Sequence, residues 1–157
     1  MALSTVVPRR CVLFPVLDTS TESEQARFMV FDEAATILAS HQVEFKQFYP
    51  QPGWMEEDAD EIVTTCQTVV AEAIKKLEKT GRKKEEIKGL GITNQRESTV
   101  VWSKKTGKPL HKVIVWPDTR NTSTVRKLSK KTDKGVDVLR EKTGLPLSTY
   151  FAGALPL

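Results

Sequence analysis

Two β-branched runs joined by a short glycine-containing link restrict the fold of this chain more than any other feature. The first run covers residues 98–103, the link is Lys104-Lys105-Thr106-Gly107, and the second run ends at Trp116. Such a pair predicts a β-hairpin, because the link suits a tight turn and its glycine tolerates a positive φ. A further apolar strand is predicted at 87–93, followed by a polar turn at 94–97. Arg96 and Glu97 are therefore expected at the end of a strand.

Arg96 and Glu97 have opposite hydrogen-bonding character. Arginine offers a planar fork of donors and glutamate offers acceptors, so together they could bind the adjacent hydroxyls of a small polyol. An Arg–Glu pair after a strand is more often a surface ion pair. The two residues alone leave both interpretations open.

The residues around this pair form distinctive sequence motifs. It comprises Gly-Ile-Thr-Asn-Gln-Arg-Glu at 91–97, Trp102, Thr106-Gly107-Lys108-Pro109 and Val115-Trp116-x-Asp118-x-Arg120. Upstream stands Tyr49-Pro50-x-Pro52-Gly53-Trp54, and downstream stand Thr143-Gly144-Leu145 and Tyr150-Phe151. Over roughly residues 27–151 the chain closely resembles the glycerol kinases, which belong to the FGGY carbohydrate kinases. So many motifs in one order are specific to that family.

The order of elements predicts an α/β fold: strands, a helix, a strand pair and further helices. The resemblance implies a mixed sheet with covering helices, forming part of a ribonuclease-H-like, actin-type ATPase domain. It also implies three segments. Residues 1–26 would be a divergent N-terminal segment that replaces the family's phosphate loop, 27–151 an incomplete N-terminal kinase domain, and 152–157 an unmatched end.

Individual elements follow from local patterns. Strands are predicted at 12–17, 27–32 and 36–48 as antiparallel neighbours, although Pro15 cannot donate to a sheet ladder. A helix is predicted from Asp58, which forms a capping box with Glu61, to a stop at Gly81. Its apolar face is made of Ile62, Val63, Cys66, Val69, Val70, Ala73, Ile74 and Leu77. Two more helices are expected at 119–131 and 135–142, with Val125, Leu128, Val136 and Leu139 pointing inward.

The resemblance implies a polyol site with four residues. Arg96 and Glu97 would bind the glycerol hydroxyls, Trp116 would pack against the carbon edge, and Tyr150 would add a hydroxyl contact. Trp116 and Tyr150 are also compatible with plain core aromatics. Trp54 is expected to pack its loop onto the sheet rather than to form a ligand wall.

The chain departs from the family in the loop that is expected to bind the nucleotide phosphates. The resemblance implies ATP and Mg²⁺ as cofactors, held through a loop of the type Asp-x-Gly-Thr-Thr-Ser-x-Arg. Residues 20–26 contain no glycine and carry Glu22 and Glu24, which would repel phosphate; Asp18 could take the loop aspartate's place only with an insertion. We therefore expect no ATP binding by this chain, and we assign it no catalytic residue and no metal ligand.

The resemblance implies ATP-dependent phosphorylation of glycerol to glycerol 3-phosphate, with this chain a truncated and inactive portion of such an enzyme. Two alternatives remain. The chain could be a non-catalytic polyol-binding or interaction fragment, or it could derive from a kinase for another polyol or sugar.

Composition limits the partners. Hydrophobic residues make up 39% and charged residues 28% of the chain, as in soluble globular proteins. The net charge is +4, and residues 75–88 contribute seven Lys or Arg against three Glu. That segment could bind phosphate or an acidic membrane surface, but its composition is more typical of a solvated helix end and loop. We expect a cytoplasmic protein with glycerol as partner, without nucleic acid or membrane; the full-length family member could be a homo-oligomer. Cys11 and Cys66 do not have metal-site spacing.

Overall fold

The structure is a computed structural model that describes the backbone of residues 11–18 and the whole of residues 25–151. It divides into two compact units, one formed by Met1–Phe45 with Glu61–Gln95 and the other by Lys46–Asp60 with Arg96–Leu157. The elements are β1 (Cys11–Asp18), β2 (Gln25–Asp32), β3 (Ile37–Glu44), β4 (Gln47–Phe48), β5 (Glu56–Glu57), α1 (Ala59–Lys79), β6 (Ile87–Leu90), β7 (Val113–Ile114), α2 (Thr122–Ser129) and α3 (Arg140–Thr143). Short 3₁₀ turns lie at Lys84–Glu86 and Gly135–Asp137.

The first unit contains a four-stranded sheet in the order β3-β2-β1-β6. The β1–β2 and β2–β3 pairs are antiparallel, as predicted, and β6 runs parallel to β1. Pro15 lies within β1 opposite Phe28, although its ring removes a ladder donor. β1 pairs with β6 at Cys11 and Leu13, before Pro15. Proline is thus accommodated where the strand is paired on one side.

Helix α1 covers this sheet. Asp58 precedes it and accepts a hydrogen bond from the Asp60 N–H at 3.0 Å, the interaction expected of an N-cap. Its buried residues recur every four positions, and they pack with strand residues into one core: Thr65, Val69, Ala73 and Leu77 from the helix, with Ala26, Phe28, Val30 and Ala39 from the strands. The predicted apolar face is therefore right in phase, but Val63 lies at its margin and is 56% exposed.

The predicted strand at 36–48 is two strands in different units. β3 ends at Glu44, and β4 begins at Gln47 in the three-stranded sheet β4-β5-β7 of the second unit. Phe45 packs against the core of the first unit. The chain changes sheets directly after this partly buried side chain, a change that a continuous alternation of apolar residues does not reveal.

The predicted hairpin exists as pairing rather than as regular strands. Thr99 and Ile114 exchange two backbone hydrogen bonds of 2.9 Å, and Trp102 forms an isolated antiparallel bridge with Pro109. Within the second run, only Val113–Ile114 is assigned as a strand, β7, and it pairs with β5 on its other side.

The two later helices are shorter than predicted. α2 begins at Thr122, three residues after the predicted start. The residues before it form a local turn instead, in which the Arg120 N–H donates to Asp118 Oδ1. The segment 135–142 splits into a 3₁₀ turn and α3, which ends at Gly144 with φ +75° as predicted. Val136 and Leu139 are 46% and 43% exposed, so the prediction that they point inward is wrong. The helices among the described residues are too short or too polar to cross a bilayer.

Candidate functional site

Three of the four predicted polyol-binding residues share one cavity in the second unit. Glu97, Trp116 and Tyr150 line it, and they come from three separate stretches of the chain. The remaining lining residues are Ile114, Val115, Asp118, Thr149 and Phe151. The pairing of Thr99 with Ile114 brings the Glu97 segment beside the strand that leads to Trp116. A Trp116 N–H to Ser98 Oγ bond of 3.3 Å joins the two segments further.

Aromatic rings form one wall of this cavity. The centroids of Trp116 and Tyr150 are 5.5 Å apart with the planes at 62°, and those of Tyr150 and Phe151 are 5.1 Å apart at 86°. Both pairs have the edge-to-face geometry that the ring quadrupole favours. The cavity volume is about 10 Å³, enough for roughly one water molecule. A polyol would therefore require a rearrangement of the residues that line the cavity.

Arg96 and Glu97 differ in their relation to the cavity: Glu97 lines it and Arg96 does not. Both side chains are exposed. Glu97 has φ +64°, one of two positive values found for residues other than glycine in the described part of the chain. This conformation is costly for a side chain with a Cβ, and such outliers concentrate at functional sites.

A buried ionic cluster supports the Trp116 segment. Asp118 accepts hydrogen bonds from Arg120 Nε at 2.9 Å and Nη2 at 2.8 Å, and Arg120 Nη2 also reaches Glu56 Oε1 at 2.9 Å. The side chains of Arg120 and Asp118 are only 8% and 2% exposed. The Arg120 guanidinium also lies 3.9 Å from the ring centroid of Trp54, a cation–π contact. Trp54 therefore packs against Arg120.

The surroundings of Asp118 favour its charged form. Burial alone would raise its pKa, but hydrogen bonds from the Arg120 side chain and from the N–H groups of Met55 and Arg120, with the charge of Arg120, outweigh it. The pKa of Asp118 is therefore lowered. The pKa of Arg120 is raised by its hydrogen bonds to Asp118 and Glu56 and by their charges, although burial acts against it.

The same cluster fixes the loop at residues 53–55. Met55 N–H donates to Asp118 Oδ2 at 2.7 Å, and Thr119 N–H donates to the Gly53 carbonyl at 2.7 Å. Gly53 has φ +79°, and a Cβ there would collide with Thr119 Oγ1. Only glycine satisfies both restrictions.

Asn121 links the cluster to the aromatic wall. It is fully buried, and its Nδ2 donates to the Thr149 carbonyl at 3.2 Å, next to Tyr150. The sequence reasoning missed the contacts of Glu56, Asp118, Arg120 and Asn121. The Asp118-x-Arg120 spacing was visible in the motif, but its meaning depends on Glu56, 64 residues away from Arg120.

Several sequence expectations lie outside this site or outside the described residues. The segment 19–24, which holds Glu22 and Glu24 and most of the expected phosphate-loop position, is among the residues not described. His111 falls within the second run predicted for the hairpin, but it lies in an exposed bend with Nε2 3.9 Å from Glu56 Oε1. Within the described part of the chain, no three His, Cys, Asp or Glu residues group in a way that could hold a metal ion.

Comparison with known proteins agrees with this architecture. Residues 15–155 match the family model described as the N-terminal domain of the FGGY family of carbohydrate kinases. The chain belongs to this family. As an FGGY chain it has the predicted α/β class, part of the actin-type ATPase fold of its structural neighbours.

Curated FGGY relatives are much longer than this chain. A glycerol kinase of Arabidopsis thaliana is 47% identical over 137 residues, which cover 87% of this chain and 26% of the relative. A probable glycerol kinase of Caenorhabditis elegans is 42% identical over 143 residues, which cover 90% of this chain and 28% of the relative. The chain thus spans about a quarter of the length of these relatives.

Solved FGGY structures give the same picture. The Plasmodium falciparum glycerol kinase, solved with ADP, superposes with a TM-score of 0.80 and 32% identity over 93% of this chain and 28% of that one. The xylulose kinase from Rhodospirillum rubrum superposes with a TM-score of 0.79 over 92% of this chain and 28% of its own, at 20% identity. At that identity the second likeness concerns the fold alone.

Proposed function

We propose that this chain carries the polyol-binding part of an ATP-dependent glycerol kinase. The observation that supports this most is the shared cavity of Glu97, Trp116 and Tyr150. The similarity to glycerol kinases at 47% identity supports glycerol as the polyol. In the proposed complex the Glu97 carboxylate accepts hydrogen bonds from hydroxyls and Arg96 donates to hydroxyl oxygens.

The aromatic residues have complementary roles in this proposal. The Trp116 indole covers the carbon edge of glycerol, and the Tyr150 hydroxyl contacts a polyol oxygen once the lining residues have rearranged. Asp118, Arg120 and Asn121 hold the backbone of these two walls through the contacts described above. The proposed site would thus combine the exposed, charged Arg96 and Glu97 with an aromatic wall whose backbone is held by buried polar contacts.

The reaction of the complete enzyme would be attack of a terminal glycerol hydroxyl on the γ-phosphate of ATP, with Mg²⁺ as the cofactor that neutralises phosphate charge. The neighbour solved with ADP supports nucleotide use in the family. We assign no step of this transfer to the described residues. We propose that this chain alone does not bind ATP, because residues 20–26 lack glycine and carry two glutamates.

Calorimetric titration tests the binding half of the proposal. Glycerol should bind the chain without ATP, and Glu97→Gln should weaken it roughly tenfold or more, because a charged hydrogen bond is worth about 1.5–3 kcal/mol. Glu141→Gln, at another exposed carboxylate, is the control. A parallel ATP titration should give no heat of binding. Equal affinity of both variants for glycerol would contradict the assignment of Glu97.

A chimera tests the catalytic half. The part of the Arabidopsis glycerol kinase that corresponds to residues 27–151 can be exchanged for those residues of this chain, keeping the relative's own phosphate loop. Arg96→Ala should then lower kcat/KM for glycerol by a factor that corresponds to a loss of about 2–4 kcal/mol in transition-state stabilisation, while Arg140→Ala should leave kcat/KM unchanged. If xylulose or another sugar competes better than glycerol, the substrate assignment fails but the polyol site remains.

A further inference from the structure

The paired segment 98–112 exposes apolar side chains on both of its faces. Val101 accepts the Leu110 N–H through its carbonyl at 2.8 Å, and Trp102 is bridged to Pro109. Successive residues of an extended pair point to opposite faces, so Val101 and Leu110 share one face and Trp102 and Pro109 share the other. Trp102 is 59% and Leu110 69% exposed, with Val101 at 44%.

The end of this segment is an ordered turn. The Ser103 N–H donates to the Lys108 carbonyl at 2.8 Å, and the Gly107 N–H donates to the Ser103 carbonyl at 2.7 Å. The Thr106 N–H donates to Ser103 Oγ at 3.3 Å. Gly107 has φ +72°, which closes the turn without a Cβ penalty. The exposed tryptophan and leucine are therefore presented by a hydrogen-bonded support.

The charge of the segment has one sign. Between residues 98 and 117 the sequence contains four lysines and one histidine but no aspartate or glutamate. Lys112 is engaged, with its Nζ 3.1 Å from Asp58 and 3.9 Å from the centroid of the Phe48 ring. The other three, Lys104, Lys105 and Lys108, are exposed at the turn, and no ion pair within residues 25–151 involves them. A negatively charged partner would complement this turn.

The two-faced exposure distinguishes between kinds of partner. A flat protein surface covers one face of a two-stranded ribbon and leaves the other face in water. The boundary between lipid headgroups and acyl chains surrounds an inserted ribbon, so it removes both faces from water at once. Tryptophan favours this boundary, and lysines reach the headgroups from it. We propose that the 98–112 segment is a docking arm for an anionic membrane surface.

This proposal concerns a different feature from the lysine-rich segment 75–88, on which the sequence-based expectation of no membrane partner depended. It is also independent of the proposed polyol site. It involves insertion of the arm's tip and no crossing of the bilayer. Binding should combine burial of Trp102 and Leu110 with attraction of the three turn lysines to acidic lipids, and added salt should weaken it.

Vesicle sedimentation of the whole chain tests the proposal. We expect the chain to sediment with vesicles of two parts phosphatidylcholine and one part phosphatidylserine, and to remain in solution with pure phosphatidylcholine. Lys104→Glu with Lys105→Glu should lower vesicle affinity at least about thirtyfold, since each lysine near such a surface is worth about 1 kcal/mol. Trp102→Ser and Leu110→Ser should each lower it about tenfold.

The controls match these changes. Lys130→Glu with Lys131→Glu alters the net charge equally at another pair of exposed lysines, and Leu145→Ser removes another leucine, 45% exposed. Neither should change vesicle binding by more than about twofold. Circular dichroism of every variant checks that the fold is intact. Absent vesicle binding, or equal losses in control and arm variants, would overturn the proposal; binding of the arm to an acidic protein but not to vesicles would overturn it as well.

Discussion

Arg120 is the residue on which the polar contacts of the second unit converge. It joins two carboxylates and an indole ring while remaining almost wholly buried. Removal of one member of a buried ion pair leaves a charge without compensation. Arg120→Ala should therefore lower the free energy of unfolding by about 3–5 kcal/mol.

The chain contains a matched exposed pair for comparison. Arg140 Nε lies 2.7 Å from Asp137 Oδ1, but the two side chains are 55% and 52% exposed. Arg140→Ala should cost less than about 1 kcal/mol, because water screens the interaction. Urea unfolding of both variants measures the difference, and similar losses would show that burial does not determine the strength of the Arg120 cluster.

Asp118 should make the second unit sensitive to acid. Its pKa is lower in the folded chain than in the unfolded chain, where an aspartate titrates near 3.9. Its stabilising contribution is therefore complete above about pH 4 and is lost as pH falls through the folded pKa. We expect the stability difference between the parent chain and Asp118→Asn to shrink below about pH 4. Urea titrations between neutral pH and pH 3 measure it, with Asp137→Asn as the control; a difference that is constant with pH would contradict the prediction.

The positive φ of Glu97 allows backbone strain to be separated from ligand chemistry. Glycine adopts this conformation without a Cβ penalty, whereas alanine adopts it only at a cost in free energy. Glu97→Gly should be more stable than Glu97→Ala by roughly 1 kcal/mol. Both variants lack the carboxylate, so both should lose glycerol affinity equally. Thermal unfolding and calorimetry check the two halves, and equal stability would exclude strain at this position.

At the scale of elements, α1 illustrates how much a periodic pattern determines. Its start, its end and the phase of its apolar face were predicted from residues 58–81, because every turn buries one residue against the sheet. Leu77 has no exposed surface and packs in the core. Leu77→Ala should cost about 2–5 kcal/mol.

A control lies on the same helix. Val63→Ala, at a side chain that is 56% exposed, should change stability by no more than about 0.5 kcal/mol. Chemical unfolding monitored by far-ultraviolet circular dichroism follows both variants. A large effect at Val63 would mean that the margin of the helix contacts more of the protein than its exposure indicates.

The strand predictions were less exact for a physical reason. Alternation identifies residues 36–48 as extended, but it contains no information about which sheet receives each half. β3 and β4 belong to different sheets, and the change occurs within two residues of Phe45. Similarly, residues 98–103 are β-branched and do pair, yet they form isolated bridges in place of a regular strand.

At the scale of the whole molecule, the proposed ligand should affect the two units differently. The cavity residues belong to the unit that contains Arg96–Leu157, whereas β2 and most of α1 belong to the other. At a glycerol concentration a hundredfold above Kd, amides near Glu97, Trp116 and Tyr150 that open with the site should exchange about a hundredfold more slowly. Amides of β2 are the internal control. Hydrogen exchange measures both, and equal protection throughout would argue against a local site.

The sequence by itself determined the family, the α/β class, the helix α1 and the short list of polyol-binding candidates. Those features depend on local periodicity and on sequence motifs, and both can be recognised in a single sequence. Only the tertiary structure decided that Tyr150 closes over Trp116, that Glu97 adopts a positive φ, and that Glu56, Asp118, Arg120 and Asn121 support the wall behind them. These contacts join residues up to 64 positions apart. No spacing rule encodes them, because their geometry and energies exist only once the segments are packed and water is excluded.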